Sequence, residues 1–288
     1  MGGIATKSIR AARGVAAALR RPPYTAPGHY YSPATSAADR QRAVTWRALS
    51  PVGVDLNEDG QEKLAGELGP LMVDLPEDRW QPGNGMYGRA DAATMHAMLR
   101  HYKPKRVVEV GSGYSTAVIL DVAERYLPGL EVTCIEPYPE RLLSRVRDED
   151  NVHVMQVPVQ QVPAPESLGD GPNASFCGIQ SGDFLIIDST HVAKSGSDVI
   201  WLYLHVLPTL PPGVLVHIHD IHWPFEYPEK WIREGRDWTE VYLLRAFLSH
   251  SEAWQIRLMT SWLWTQRPDL VPESLRGEPT GALWMQRQ

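Results

Sequence analysis

Between residues 106 and 219 five short apolar runs interleave with helix-like stretches, and few architectures can absorb that order. The runs are "RVVEV" (106–110), "EVTCIE" (131–136), "VHVMQV" (152–157), "DFLIID" (183–188) and "GVLVHIH" (213–219). "STAVILDVAERY", "ERLLSRV" and "GSDVIWLYLHVL" follow the first, second and fourth of them and read as helices. Strands that are apolar on both faces and joined by helices form a parallel sheet covered on both sides. The expected fold class is therefore α/β and Rossmann-like. Beyond residue 219, "WTEVYLLRAFLSH" reads as a helix. "WQIRLMTSWLW" and "GALWMQ" read as strands that could pair antiparallel.

Upstream, residues 57–73 look helical, and a second helix is expected from about Asp91. There Met95, Met98, Leu99 and Tyr102 recur at i, i+3, i+4 and i+7, and Pro104 ends the pattern. Residues 22–38 are rich in Pro, Ala and Ser and read as a linker or wrapping loop. Residues 1–80 carry too few periodic apolar positions for a core of their own. They are expected to form an N-terminal helical and loop cap, with residues 81–288 as the main domain. The first 38 residues hold Lys7, Arg10, Arg13, Arg20 and Arg21 and no acid, and read as a basic amphipathic helix. The cap is expected to close over a cleft or to make a subunit contact, in a homodimer.

Bulk properties narrow the partners. A net charge of -6 over 288 residues argues against nucleic-acid binding through phosphate contacts. No apolar run reaches the roughly 18–20 residues that span a bilayer. Of the two cysteines, Cys134 sits inside an apolar strand and reads as a buried thiol. That usage points to a reducing, cytoplasmic compartment.

In such folds ligands bind beyond the carboxyl ends of the strands. The first run ends in "EVGSGYST", where Glu109, Gly111, Ser112 and Gly113 form a turn and Ser115 and Thr116 open a helix with free N–H groups. The spacing is not G-x-G-x-x-G, which disfavours a pyrophosphate site and a nicotinamide oxidoreductase. The second run ends in Glu136, a carboxylate suited to a ribose diol, and the third leads to Gln160, suited to an adenine edge. The fourth ends in "DSTH" (Asp188 to His191) and the fifth in "HIHDIH" (His217 to His222). Neighbouring strand ends would bring Asp188 to His219 and Asp220, with His191 and His222 nearby. His217 reads as a core histidine.

The motifs "VVEVGSGYST", "VTCIEPYPER", "DFLIIDSTH", "GVLVHIHDIHWPFEYPEKW", "GRDWTEVYLLRAFL" and "GALWMQ" together resemble the class I S-adenosylmethionine-dependent methyltransferases, over roughly residues 80–288. The likeness is greatest to a bacterial small-molecule subgroup. It implies a seven-stranded, mostly parallel sheet with helices on both faces and an antiparallel last strand. It implies Glu109, Gly111 and Gly113 at the methionine portion of the cofactor and Glu136 on its ribose. In metal-dependent O-methyltransferases of the catechol and macrolide-sugar kinds, an acid ends strand four and an acid-led pair ends strand five. Here those positions hold Asp188 and His219–Asp220, so Asp188, His219 and Asp220 become tentative ligands of a divalent metal. Magnesium prefers oxygen ligands, whereas imidazole suits zinc, iron or nickel. Alternatively, His219 is a general base and no metal binds.

The expected activity is methyl transfer to a small-molecule acceptor, as O-methylation of a hydroxyl. Asp188, His191, His219, Asp220 and His222 are the candidate catalytic residues. An aligned acceptor must lose its proton, and imidazole suits that task near neutral pH. Two other readings share the cofactor motifs: cyclisation of the cofactor's aminocarboxypropyl arm, and a non-catalytic cofactor-binding protein.

Overall fold

The computed structural model describes residues 23–163 and 175–288. The basic segment with Lys7, Arg10, Arg13, Arg20 and Arg21 lies outside the described residues. The apolar runs form one seven-stranded sheet. Its strands are β1 (Arg106–Val110), β2 (Glu131–Ile135), β3 (Val152–Met155), β4 (Phe184–Ile187), β5 (Leu215–His219), β6 (Trp254–Met259) and β7 (Ala282–Arg287). The order across the sheet is β3-β2-β1-β4-β5-β7-β6. The pairs among β1 to β5 are parallel, and β7 runs antiparallel to both β5 and β6. This is the mostly parallel sheet with an inserted antiparallel last strand that the sequence leads one to expect. All of β4 and β5 is buried, as unbroken apolar runs in the middle of a covered sheet require.

Two runs differ from expectation. "WQIRLMTSWLW" is strand only to Met259 and then a helix, Thr260–Gln266. Met259 faces Leu283 at the end of the β6–β7 ladder. Beyond it the chain satisfies its backbone by coiling, and the helix buries Trp262 and Leu263. The stretch expected as one helix at 196–207 is an α turn (Asp198–Trp201), a π segment (Leu202–Val206) and a 3-10 turn (Leu207–Thr209) in succession. Pro208 has no N–H to continue an α ladder.

The chain divides into two compact units, and the boundary is not near residue 80. The larger unit is Ala48–Tyr227 with Trp238–Gln288. It includes the helix Glu58–Met72, which buries Leu64, Ala65, Leu68 and Met72. Inside that unit Gln61 is wholly buried, donating to the Leu56 carbonyl at 2.6 Å and accepting from the Met259 N–H at 2.6 Å. The bond to Met259, with that from the Asn57 amide to the Ile256 carbonyl at 2.9 Å, ties this helix to β6 within the sheet's unit. The smaller unit joins residues 23–47 with Pro228–Asp237. In it the helix Ala37–Trp46, capped by Ser36 and Asp39, meets the helix Glu229–Glu234, and Asp237 accepts from the Thr35 N–H at 3.2 Å. Cys134 is a buried free thiol. Among the described residues no helix is long and apolar enough to cross a membrane.

Candidate active site

The ends of β1, β2 and β4 are tied together. The Gly111 N–H donates to the Ile135 carbonyl at 3.1 Å and the Asp188 N–H to the Val110 carbonyl at 2.9 Å. Gly111 has φ +79°, and a side chain there would collide with the Asp188 carbonyl oxygen. Its glycine is demanded by a neighbouring strand end, not by a ligand alone. A cleft of about 490 Å³ opens above these ends. Gly111, Glu136, Gln160 and Asp188 line it, together with Lys194 and Asp198, which the sequence reading did not single out.

The Glu136 carboxylate is fixed at the rim. It accepts from the Ser112 N–H at 3.2 Å and the Tyr138 N–H at 2.8 Å. Gln160 donates its amide to the Gly196 carbonyl at 3.0 Å. Glu109 turns inward. It is wholly buried beneath the glycine turn and is not among the residues of the cleft wall. It accepts from the Thr116 hydroxyl at 2.5 Å, and Thr116 in turn accepts from the Gly113 N–H at 2.9 Å. Burial drives its pKa up to about 7 against the hydrogen bonds that favour the carboxylate. Glu109, Thr116 and Gly113 thus brace the turn, and Ser112 and Ser115 are buried in the same brace.

At the next two strand ends the expected cluster forms. The register Ile187–Ile218 between β4 and β5 places Asp188 beside the His219–Asp220 pair. His191 lies between the acids, with Nε2 3.6 Å from both Asp188 Oδ1 and Asp220 Oδ2. Its Nδ1 is 2.8 Å from Glu240 Oε2. A carboxylate only accepts, so this nitrogen carries the proton. Burial alone would lower the His191 pKa, but the Glu240 hydrogen bond and charge, with Asp188 and Asp220, raise it to about 9. His219 Nε2 is 3.6 Å from Asp220 Oδ1. Burial opposes its protonation, and Asp220, Asp188 and Asp91 outweigh burial, so its pKa is raised. Its Nδ1 is buried without a hydrogen-bond partner among the described residues. The Asp188 side chain keeps 36% of its surface accessible, yet the protein packed around it raises its pKa against the pull of His219 and His191.

His222 and His217 are placed by other contacts. The His222 ring lies where a side chain at position 281 would point. His217 is a core residue, packed on Trp284 at 4.5 Å between ring centroids, and burial keeps it neutral. Among the described residues no group of three or more His, Cys, Asp or Glu side chains is placed to hold a metal. Two members of the tentative Asp188–His219–Asp220 ligand set, Asp188 and Asp220, face the His191 Nε2 at 3.6 Å. Three partners went unassigned in the sequence reading. Glu240 grips His191. Asp91 is buried near His219 and accepts from the Thr280 hydroxyl at 2.6 Å. Tyr87 packs 5.0 Å from the His219 ring, its hydroxyl without a hydrogen-bond partner among the described residues. Glu240 had a signal in the sequence: it shares one helical face with Val241, Leu244 and Leu248, all buried.

A family model described as a methyltransferase domain matches residues 108–221, which run from β1 past β5. An uncharacterized protein of Archaeoglobus fulgidus is 32% identical over 152 residues, covering 47% of this chain and 69% of that protein. By the family match the chain carries a methyltransferase domain. Solved structures similar to this methyltransferase include a methyltransferase from Podospora anserina with S-adenosylhomocysteine bound, at TM-score 0.45 and 15% identity over 87% of this chain and 95% of that one. Another is an O-methyltransferase of tomaymycin synthesis from Streptomyces achromogenes in complex with S-adenosylmethionine, at TM-score 0.42 and 15% identity over 86% and 96%.

Proposed function

We propose that this methyltransferase binds S-adenosylmethionine in the cleft above β1, β2 and β4 and methylates a hydroxyl of a small molecule. The observation that carries the reading is the double position of Asp188. It belongs to the wall of the cleft and also to the histidine–carboxylate cluster. The groups that would hold a methyl donor and those that would take a proton from an acceptor thus share one residue.

The residues present fit that cofactor. Its sulfonium supplies an electrophilic methyl group. Glu136, already oriented by two backbone donors, keeps acceptor capacity for the hydroxyls of a ribose. Gln160 and Gly111 line the same cleft. Glu109 supports the turn and makes no direct contact. In the cluster, His191 holds a positive charge against Asp188 and Asp220 near neutral pH. His219 is the proton acceptor, with a buried unpartnered Nδ1 and acids that make it a stronger base than free imidazole.

Calorimetric titration with S-adenosylmethionine and with S-adenosylhomocysteine tests the cleft. Product analysis with catechol and with a methyl glycoside as acceptors tests the reaction. Acceptor-dependent release of S-adenosylhomocysteine supports it, while methylthioadenosine in its place would mean cyclisation of the cofactor's side arm.

A further inference from the structure

The loop after β4 is held at the start of the helix Glu240–Leu248 by five hydrogen bonds and a ring contact. The His191 carbonyl accepts from the Thr239 N–H at 2.8 Å and the Glu240 N–H at 3.0 Å. The Thr239 hydroxyl accepts from the Ala193 N–H at 2.8 Å. Glu240 Oε2 accepts from His191 Nδ1 at 2.8 Å and from the Ser189 hydroxyl at 2.9 Å. The Trp238 ring lies against the His191 ring at 4.5 Å. The backbone of His191 has φ +61°, a conformation uncommon for a residue with a side chain, which the surrounding ties must maintain.

The Glu240 side chain has no exposed surface, and burying an ionised carboxylate costs several kcal/mol unless it is paired. Anchoring the loop did not require it, since the Thr239 and Glu240 backbone donors and the Thr239 hydroxyl already do so. What the carboxylate adds is control of a ring. With Nδ1–H committed to Glu240, the other ring nitrogen is directed at the gap between Asp188 and Asp220.

We propose that Glu240 is a positioning residue of the active centre: it takes the Nδ1–H of His191 and thereby aims Nε2 between Asp188 and Asp220, fixing both carboxylates. This rests on the reading of that cluster as the proton-accepting centre. Glu240 is not among the residues that line the cleft; it acts through His191 and through Ser189, which does line it. Ser189 and Trp238 complete the clamp, one by hydrogen bonding to Glu240 and the other by packing on the ring.

The test is long-range proton–nitrogen NMR of the full-length chain labelled with 15N-histidine, with His191 assigned through His191→Gln. The wild-type chain is expected to show a deshielded, exchange-protected Nδ1 proton on His191. In Glu240→Ala that resonance is lost while the backbone amide spectrum keeps its dispersion. In Glu240→Gln, which preserves volume and an acceptor oxygen but not the charge, the resonance shifts upfield. In Asp188→Asn the Nδ1 proton stays and the Nε2 signal moves. Should Glu240→Ala fail to fold, Glu240→Gln decides. A His191 spectrum unchanged in Glu240→Gln, or a wild-type chain without the protected Nδ1 proton, overturns the proposal. Titration of the wild-type chain with S-adenosylmethionine separates the two readings. Failure to bind defeats the proposed function whatever the spectrum, whereas binding with an unmoved His191 signal defeats only the role of Glu240.

Discussion

The rim above β1 to β3 and the cluster above β4 and β5 are built in opposite ways. The first is assembled mostly from neighbours in sequence, with one tie across adjacent strand ends. Glu109, Gly113 and Thr116 brace one turn, and Glu136 is oriented by the Tyr138 N–H two residues on and by the Ser112 N–H across the adjacent strand end. The second draws on distant segments: His191 after β4, Asp220 after β5, Glu240 on a later helix and Asp91 on an early one. One is a short-range backbone device that tolerates little change of shape. The other is a charge balance, three acids around two raised histidines with a fourth acid behind, which should tolerate changes of shape and respond to changes of charge.

The largest expected effect breaks the first region. Gly111→Val places a side chain against the Asp188 carbonyl at a left-handed backbone position. It should cost about 3 kcal/mol or more of stability, seen as a large fall in melting temperature. A melt like that of the wild type would mean that the turn can move. Loss of S-adenosylmethionine binding in this variant reports the fold and not a blocked approach, so Glu136→Ala is the better probe of the cofactor site.

In the second region the shape can stay while the charge goes. Asp188→Asn and His219→Gln, which keep most of the side-chain volume, should lower turnover about 10²-fold or more, as removal of an acid–base group does, while the melting temperature stays close to that of the wild type. Wild-type turnover should rise with pH through the His219 pKa, above 6.5, because only the neutral ring takes a proton. A pH profile that is flat there would remove His219 from the role of base.

Stability against pH separates the regions a third time. Glu109 and His191 both bind a proton more tightly folded than unfolded, so each contribution is complete below the unfolded pKa and lost as pH rises through the folded one. For Glu109 the window runs from 4.5 to about 7, and for His191 from 6.5 to about 9. Melting temperatures taken across both windows should fall in two stages. Glu109→Gln should remove the first stage and His191→Gln the second. The smallest effect is expected from Gln160→Ala. It removes one exposed hydrogen bond to Gly196, worth about 1 kcal/mol or less in stability, and should weaken S-adenosylmethionine binding only a few-fold by calorimetry.

By itself the sequence determined the sheet, its parallel core and the late antiparallel strand. Those follow from the period and length of apolar runs, which are local properties of the chain. It also singled out Gly111, Glu136, Gln160 and Asp188 at the strand ends, and these line one cleft. Only the tertiary structure decided which way each group faces. Glu109 reads as a cofactor contact from its place beside the glycines, but alternation along β1 turns it into the core, where Thr116 meets it. His222 is close to the cluster in sequence and lies against Gly281 in space. Glu240 is 49 residues from His191 and hydrogen-bonded to it. Residues that far apart meet only when helix and sheet have packed. The protonation of the cluster is settled by that meeting, because charge interactions depend on distance and burial, and neither is written in the order of residues along the chain.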